Sequence, residues 1–332
     1  MKTAVIGAGS WGTALAAHLA RRGHPVRLWA LEADVVDGIR HSHHNPFFLP
    51  ELKLPDSVQA TGNVAAAVAS AELVVFVVPA QHARSVLRSL RPHLEPAVPI
   101  VSASKGIELG TLARLDELVV AELGCGPGRF VALSGPTFAR EVGAGLPAAA
   151  VLAGHSASLC QGLQAELSGP AFRFYTSTDV VGVELAGALK NVIAIAAGMT
   201  AGLGLGTNAL AALLTRGLHE ITRLGVRLGG KAETFRGLAG MGDLVLTCTG
   251  ELSRNRTVGQ RLGRGEPLAA VLAGREVAEG VPTAAAAVAL AAREGVEMPI
   301  TSAVAAILAG RLRPRAALEA LMSRDLKDEA LL

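Results

Sequence analysis

Residues 1–22 read MKTAVIGAGSWGTALAAHLARR, and this stretch decides the fold. Thr3–Ile6 has the composition of a short strand, and Thr13–Arg22 has helical periodicity. Between them Gly7, Gly9 and Gly12 form a G-x-G-x-x-G. The first glycine permits a tight turn, the second lets the backbone approach a pyrophosphate, and the third brings helix and strand together. The start of the helix then offers free N–H groups to the anion. A glycine-rich turn of structural use only is the competing reading, and the strand-turn-helix context argues against it.

Outward from this stretch, a second strand is expected at Val26–Trp29, followed by Ala30, Leu31 and Glu32. Glu32 lies about 20 residues beyond Gly12, where an acidic group can hold a ribose 2′-hydroxyl. No Arg or Lys follows directly to receive a 2′-phosphate, so NAD(H) is expected to serve at least as well as NADP(H). The alternative is that Glu32 is simply a carboxylate at a helix start. Further strands are expected at Leu73–Val78, Ile100–Ala103, Phe130–Leu133, Ala149–Leu152 and Phe172–Tyr175. Amphipathic stretches such as His82–Leu90 and Leu112–Leu123 lie between them, a pattern that predicts a mostly parallel sheet with helices on both faces. The run LVVFVV, apolar at every position, suits a central strand buried on both sides.

From Val180 onward only helical periodicity is legible, in Val180–Ala197, Asn208–Leu224, Val258–Leu262, Ala284–Glu294, Ser302–Leu308 and Arg315–Met322. The expected architecture is therefore a doubly wound α/β domain over residues 1–179 and an all-α domain over 180–332. A chain of 332 residues matches two domains at about 150 residues each.

Composition narrows the function. Half the residues are hydrophobic, which excludes a disordered chain, and 3% aromatics argue against a surface that stacks nucleic acid bases. A net charge of +3 without like-charge runs is no nucleic-acid footprint. Cys125, Cys160 and Cys248 are far apart and form no CxxC, and MKTAVIGAGS enters a strand at once, so a reduced, cytoplasmic location without a leader is expected. Asn191–Thr215 carries no charge, but Gly198, Gly202, Gly204 and Gly206 favour two buried helices joined by a glycine-rich loop over membrane insertion.

The 31 basic side chains are 25 Arg and only six Lys, so lysine placement is informative. Lys105 sits in SASKGIE, just past a strand end, where parallel sheets place ligands. Lys190 sits on an apolar helix, VELAGALKNVIAIAAG, where desolvation would lower its pKa toward that of a useful proton donor. The bland alternative is a lysine snorkelling at a helix edge. Asp243, in AGMGDLVLTCTG, is presented by a bent, glycine-containing backbone or serves as a helix N-cap. Thr247, Thr249 and Gly250 precede Ser253–Arg256, SRNR, and together these hydroxyls, amide and guanidinium forks suit a phosphate. A solvated helix start is the other reading of that tetrapeptide. His41, His43 and His44 lack a carboxylate or Cys at ligand spacing, so they are read as a solvated loop and no metal is expected. Cys248 is read as a buried packing residue with no base to activate it.

GAGSWGTALA, SASKGIE, LSGPTFAREV, GVELAGALKNVIAIAAGM, GMGDLVLTCTGELSRNR and VAEGVPT follow one another along the whole chain. In these motifs and their order the sequence resembles the bacterial NAD(P)-dependent glycerol-3-phosphate dehydrogenases. The resemblance implies a Rossmann domain and an all-helical domain in a cytoplasmic homodimer. It implies interconversion of dihydroxyacetone phosphate and sn-glycerol 3-phosphate, the backbone of phospholipids. It also implies that Ser10 and Trp11 belong to the cofactor loop, and that Ala139, Arg254, Val277 and Glu279 contact the cofactor. By the same resemblance Lys105 touches cofactor and substrate, and Gly135, Thr137, Lys190, Asp243, Ser253, Arg254 and Asn255 bind substrate, with Lys190 the proton acceptor in oxidation. Many relatives carry a basic residue where this chain has Leu31 and Glu32, a departure that bears on NADP use. Two other classes remain open from the residues alone: a related dehydrogenase of a hydroxy acid or sugar acid, and a non-catalytic NAD(P)-binding sensor. SRNR and the paired lysines weigh against the first, and the presence of Lys190 and Asp243 against the second.

Overall fold

The computed structural model describes residues 1–273, 277–325 and 328. They fall into two compact units: Met1–Ser104 with Arg114–Val180, and Lys105–Ala113 with the chain from Val181 onward. The segment Lys105–Ala113 thus folds with the helical residues although residues of the first unit precede and follow it in sequence.

The strands of the first unit are β1 (Thr3–Ile6), β2 (Val26–Trp29), β3 (His44–Asn45), β4 (Leu49–Lys53), β5 (Val58–Thr61), β6 (Leu73–Phe76), β7 (Ile100–Ser102), β8 (Phe130–Ser134), β9 (Ala148–Gly154) and β10 (Phe172–Ser177). Eight of them form one sheet in the order β10-β9-β8-β7-β6-β1-β2-β5. The six from β8 to β5 are mutually parallel. That is the strand order of a dinucleotide-binding sheet, with its direction of winding reversing between β1 and β6. β9 runs antiparallel to β8 and carries β10 parallel to itself. In the centre Val5 faces Leu28 on one side and Val75 on the other, and every residue of β1 and β6 is buried. Such strands need apolar residues at each position because helices cover both faces.

All seven expected strands are present, their ends displaced by at most two residues. β3, β4 and β5 were not expected. Pro46, Pro50 and Pro55 break up that stretch, and β5 is an edge strand with alternating exposed residues, so neither an apolar run nor a long period marks it.

The second unit is helical, with no strand among its described residues. Its main helices are Val180–Gly202, Gly206–Arg227, Asp243–Thr249, Arg254–Gly263, Gly280–Glu294, Pro299–Leu308 and Pro314–Met322. Val180–Gly202 is long and apolar enough to cross a membrane by length and composition, yet 83% of its most apolar window is buried within the protein. The next helix begins at Gly206 after a turn through Gly204, as the glycine-rich loop predicts. Helix Arg254–Gly263 crosses Val180–Gly202 backbone to backbone. A Cβ on Gly198 would stand 2.0 Å from the Arg256 carbonyl oxygen, and one on Gly259 would stand 1.9 Å from that of Ile195. This close crossing fixes the spacing between Lys190 on one helix and the SRNR segment that opens the other.

Candidate active site

Two clusters of the expected residues stand out, one in each unit. In the first, Gly7 adopts φ 111° and donates its N–H to the Trp29 carbonyl at 3.0 Å. A Cβ on Gly7 would lie 2.5 Å from the Val77 carbonyl oxygen, and one on Gly12 only 1.8 Å from that of Gly7. Gly9 differs, because a Cβ there would meet nothing within 4 Å. The middle glycine therefore faces open space, while the outer two are required by the protein itself. Gly9 is the N-cap of helix Ser10–Arg21, which has no side-chain cap and no acidic residue in its first turn. An uncapped helix start beside a bare backbone fits a dinucleotide pyrophosphate.

Sequence reasoning missed the residue that braces this loop. Asn45 is fully buried and donates to the Ala8 carbonyl at 2.7 Å and to Thr13 Oγ1 at 2.8 Å. Its Oδ1 accepts from the N–H groups of Phe47 and Phe48, and Ser10 donates to the Phe48 carbonyl at 2.7 Å. The histidines expected in a solvated loop instead lie in ordered elements, His41 in helix Ala33–Ser42, His43 at its C-cap and His44 in β3, and the asparagine that follows them straps the glycine turn. Its only sequence signal is an Asn-Pro step. The Trp11 indole packs beside Phe172, with ring centroids 6.4 Å apart. Glu32 is exposed and precedes helix Ala33–Ser42, but its side chain makes no capping hydrogen bond. After β8, Gly135 passes so close to β9 that a Cβ would lie 2.7 Å from Ala150 Cα, and Thr137 donates to the Gly135 carbonyl at 3.2 Å. Ala139 opens helix Ala139–Gly143, which packs on the glycine-loop helix.

In the helical unit Lys105, Lys190 and Asp243 come together. Lys190 Nζ donates to Asp243 Oδ1 at 2.5 Å and to Thr247 Oγ1 at 2.6 Å. Lys105 Nζ donates to the other carboxylate oxygen, Oδ2, at 2.6 Å. The Lys190 and Asp243 side chains are 7% and 1% exposed and that of Lys105 is 16% exposed, so this ion cluster is largely out of water. Asp243 is the first residue of its helix, not the cap, and follows a wide turn over Leu238–Gly242. Asp243 and Thr247 stand four apart on one helix and therefore share a face. Thr247, grouped in sequence with the phosphate-suited residues, is in the structure a partner of Lys190.

Burial pushes the Lys190 ammonium down from its ordinary 10.5 to about 8; Asp243 opposes that fall and Lys105 adds to it. Burial works against the Asp243 carboxylate too, but the two ammoniums outweigh it and hold that carboxyl below the usual range. With two cations and one anion the cluster keeps one positive charge in excess. Cys248 is fully buried beside it, and burial pushes its thiol up to about 12, which leaves it unreactive.

Ser253 caps helix Arg254–Gly263 by accepting from the Arg256 N–H at 3.3 Å. Arg254 is exposed at that helix start and Asn255 is buried. Asn255 Oδ1 accepts from the Gly280 N–H at 2.9 Å, which joins it to the segment holding exposed Val277 and half-buried Glu279. Among the described residues no group of three His, Cys, Asp or Glu side chains stands at metal-binding spacing.

Residues 2–160 match the NAD-dependent glycerol-3-phosphate dehydrogenase N-terminus, and residues 179–319 match the C-terminus of the same family. The chain belongs to the NAD-dependent glycerol-3-phosphate dehydrogenase family. It is 52% identical over 330 residues to the glycerol-3-phosphate dehydrogenase [NAD(P)+] of Nitratidesulfovibrio vulgaris (strain DP4), covering 99% of this chain and 100% of that one. It is 53% identical over 327 residues to that of Geobacter sulfurreducens, covering 98% of each. The crystal structure of glycerol-3-phosphate dehydrogenase from Coxiella burnetii is 41% identical and superposes with a TM-score of 0.93 over 97% of this chain and 99% of the other. Both halves of the glycerol-3-phosphate dehydrogenase family are thus present here, the glycine loop and Lys105 in the N-terminal match and Lys190 and Asp243 in the C-terminal one.

Proposed function

We infer that this member of the family reduces dihydroxyacetone phosphate reversibly to sn-glycerol 3-phosphate, a precursor of glycerophospholipids, with Lys190 exchanging the proton. The observation that carries this reading is the buried Lys190 ammonium, brought to about 8 and held by Asp243 and Thr247. NAD(P)H, when bound, supplies the hydride. Gly7, Gly9, Ser10, Trp11, Gly12, Glu32 and Ala139 in the first unit, and Lys105, Arg254, Val277 and Glu279 in the helical one, are the residues assigned to hold it.

Reduction of a ketone puts negative charge on its oxygen, so an acid must deliver a proton there. Two of the three Lys190 N–H groups are used by Asp243 and Thr247, which leaves one for the substrate oxygen. A group near 8 is charged enough at neutral pH to donate and weak enough as an ammonium to be neutral for the reverse reaction. Lys105 adds fixed positive charge toward the developing alkoxide. Asp243 orients both lysines, one on each carboxylate oxygen. Ser253, Arg254 and Asn255, with Gly135 and Thr137, are assigned to the substrate, and a phosphate held at the SRNR helix start gains from the helix N-terminus and the guanidinium. Binding energy from that phosphate then holds the reacting carbon in place.

Assembly as a homodimer in the cytoplasm, without membrane insertion or nucleic acid, belongs to the same reading and rests on the family resemblance; light scattering in solution checks the dimer. The exposed Glu32, whose side chain makes no capping hydrogen bond, supports use of NAD(H) at least as well as NADP(H). Reduced-nicotinamide oxidation with dihydroxyacetone phosphate, against the unphosphorylated ketone and with NADH against NADPH, tests the assignment. Rapid turnover of the phosphorylated ketone alone is expected. Equal turnover of both ketones would return the hydroxy-acid alternative, and a strong NADPH preference would remove the role of Glu32.

A further inference from the structure

Asn191 follows Lys190 on helix Val180–Gly202, but its hydrogen bonds run elsewhere. Its Oδ1 accepts from Asn255 Nδ2 at 3.0 Å, and its own amide reaches the Gly187 carbonyl at 3.4 Å. Asn255 Oδ1 accepts in turn from the Gly280 N–H at 2.9 Å. The two asparagines are 6% and 9% exposed. Helix Gly280–Glu294 presses on them so closely that a Cβ on Gly280 would stand 2.5 Å from the Asn191 carbonyl oxygen and 2.9 Å from Asn255 Oδ1. Three helices therefore meet at two buried side-chain amides.

An amide side chain has one acceptor oxygen and two N–H donors. The Gly280 N–H can be met only by the oxygen of Asn255, and Asn191 Oδ1 takes one of the two donors. A flipped Asn255 would set its NH2 against the Gly280 N–H and its oxygen against Asn191 Oδ1, two repulsive pairs in a buried place. The remaining N–H of Asn255 belongs to the same helix start as Ser253 and Arg254.

We propose that Asn191 is a positioning residue for the phosphate end of the substrate: together with the Gly280 N–H it holds Asn255 in the orientation that offers an amide N–H to a phosphate oxygen. Through Gly280 the same link ties the Val277–Glu279 segment to the substrate side. The proposal rests on the assignment of Asn255 to the substrate made above. Asn191 acts through Asn255, whereas Lys190 acts through Asp243 and Thr247, so phosphate recognition and proton transfer respond to different substitutions.

The test compares kcat/KM for dihydroxyacetone phosphate with that for unphosphorylated dihydroxyacetone in the wild type, Asn191→Ala, Asn255→Ala and the double variant. Circular dichroism and thermal melting confirm folding, and Asn191→Ser replaces Asn191→Ala if the latter does not fold. Asn191→Ala is expected to raise KM for the phosphorylated ketone and to lower the ratio by about tenfold, the scale of a lost hydrogen bond to a charged group. The pH midpoint of kcat is expected to stay at its wild-type value, and the double variant to be no worse than Asn255→Ala alone. A wild-type ratio in folded Asn191→Ala beside a reduced one in Asn255→Ala overturns the proposal, as does a double variant equal to the product of the two singles. A wild-type ratio in Asn255→Ala itself overturns instead the assignment of Asn255 to the phosphate.

Discussion

Lys190 and Thr247 are joined by a 2.6 Å hydrogen bond in which the hydroxyl accepts, because the Thr247 hydrogen is directed to the Asp243 carbonyl at 2.6 Å. The hydroxyl therefore stabilises the charged form of the lysine. Thr247→Val keeps the volume and removes that acceptor. The pH limb of ketone reduction is expected to move to lower pH, by about 1 on the pH scale for roughly 1.4 kcal/mol. A rate–pH profile that does not move would show that Thr247 only packs.

Asp243 and Lys105 act on Lys190 with opposite sign. Asp243 favours the Lys190 ammonium and Lys105 opposes it. Asp243→Asn is expected to shift the midpoint for ketone reduction well below 8, and Lys105→Met to shift it above. Both lose rate, since each also removes a group that faces the substrate in this reading. Profiles for the two variants that move in the same direction would contradict the coupling.

Gly9 and Gly12 are expected to separate cofactor binding from folding. Gly9→Ala adds a methyl group where the protein leaves space, so the melting temperature should hold while NADH binding weakens about tenfold, roughly 1.4 kcal/mol. Gly12→Ala drives a methyl into the Gly7 carbonyl, so binding and stability should fall together. Calorimetric titration with NADH and thermal melting read the two quantities.

Glu220 is a structural carboxylate. It is 1% exposed and accepts from the N–H groups of Ile300 and Thr301 at 2.6 and 3.1 Å, which caps helix Pro299–Leu308. Glu220→Ala leaves those donors buried and is expected to cost about 2–3 kcal/mol in urea unfolding. Burial raises the Glu220 carboxyl above its ordinary 4.5, despite these bonds. Its protonated form is therefore favoured in the folded state, and its ionisation subtracts stability as pH rises from 4.5 through the raised value. The gap between wild type and Glu220→Ala should be widest at acidic pH and narrow as pH rises.

The strands that bear the glycine loop are legible because burial on both faces forces continuous apolar runs, as in Leu73–Phe76, and because Gly7 and Gly12 need their glycines at fixed places. Lys190 was legible because an ammonium on an apolar helix stands out. Asn45 and Asn191 were not, since an asparagine's importance lies in which distant backbone groups it meets. The grouping of Lys105–Ala113 with the helices was hidden for a similar reason: Ile107 enters the helical core and Lys105 reaches Asp243, both long-range contacts. The contact of Thr247 with Lys190 is not legible either, because spacing along the chain groups Thr247 with SRNR and does not show which side chain on another helix it meets.

The most direct test is the pH dependence of dihydroxyacetone phosphate reduction, followed by loss of reduced nicotinamide, in the wild type and in Lys190→Ala. In the wild type the rate is expected to fall as pH rises through about 8, and that of the reverse oxidation to rise over the same range. In Lys190→Ala the rate should drop about 10²–10⁴-fold and the limb should vanish. Normal turnover in Lys190→Ala, with the limb still near 8, would contradict the account and move the proton transfer to another group.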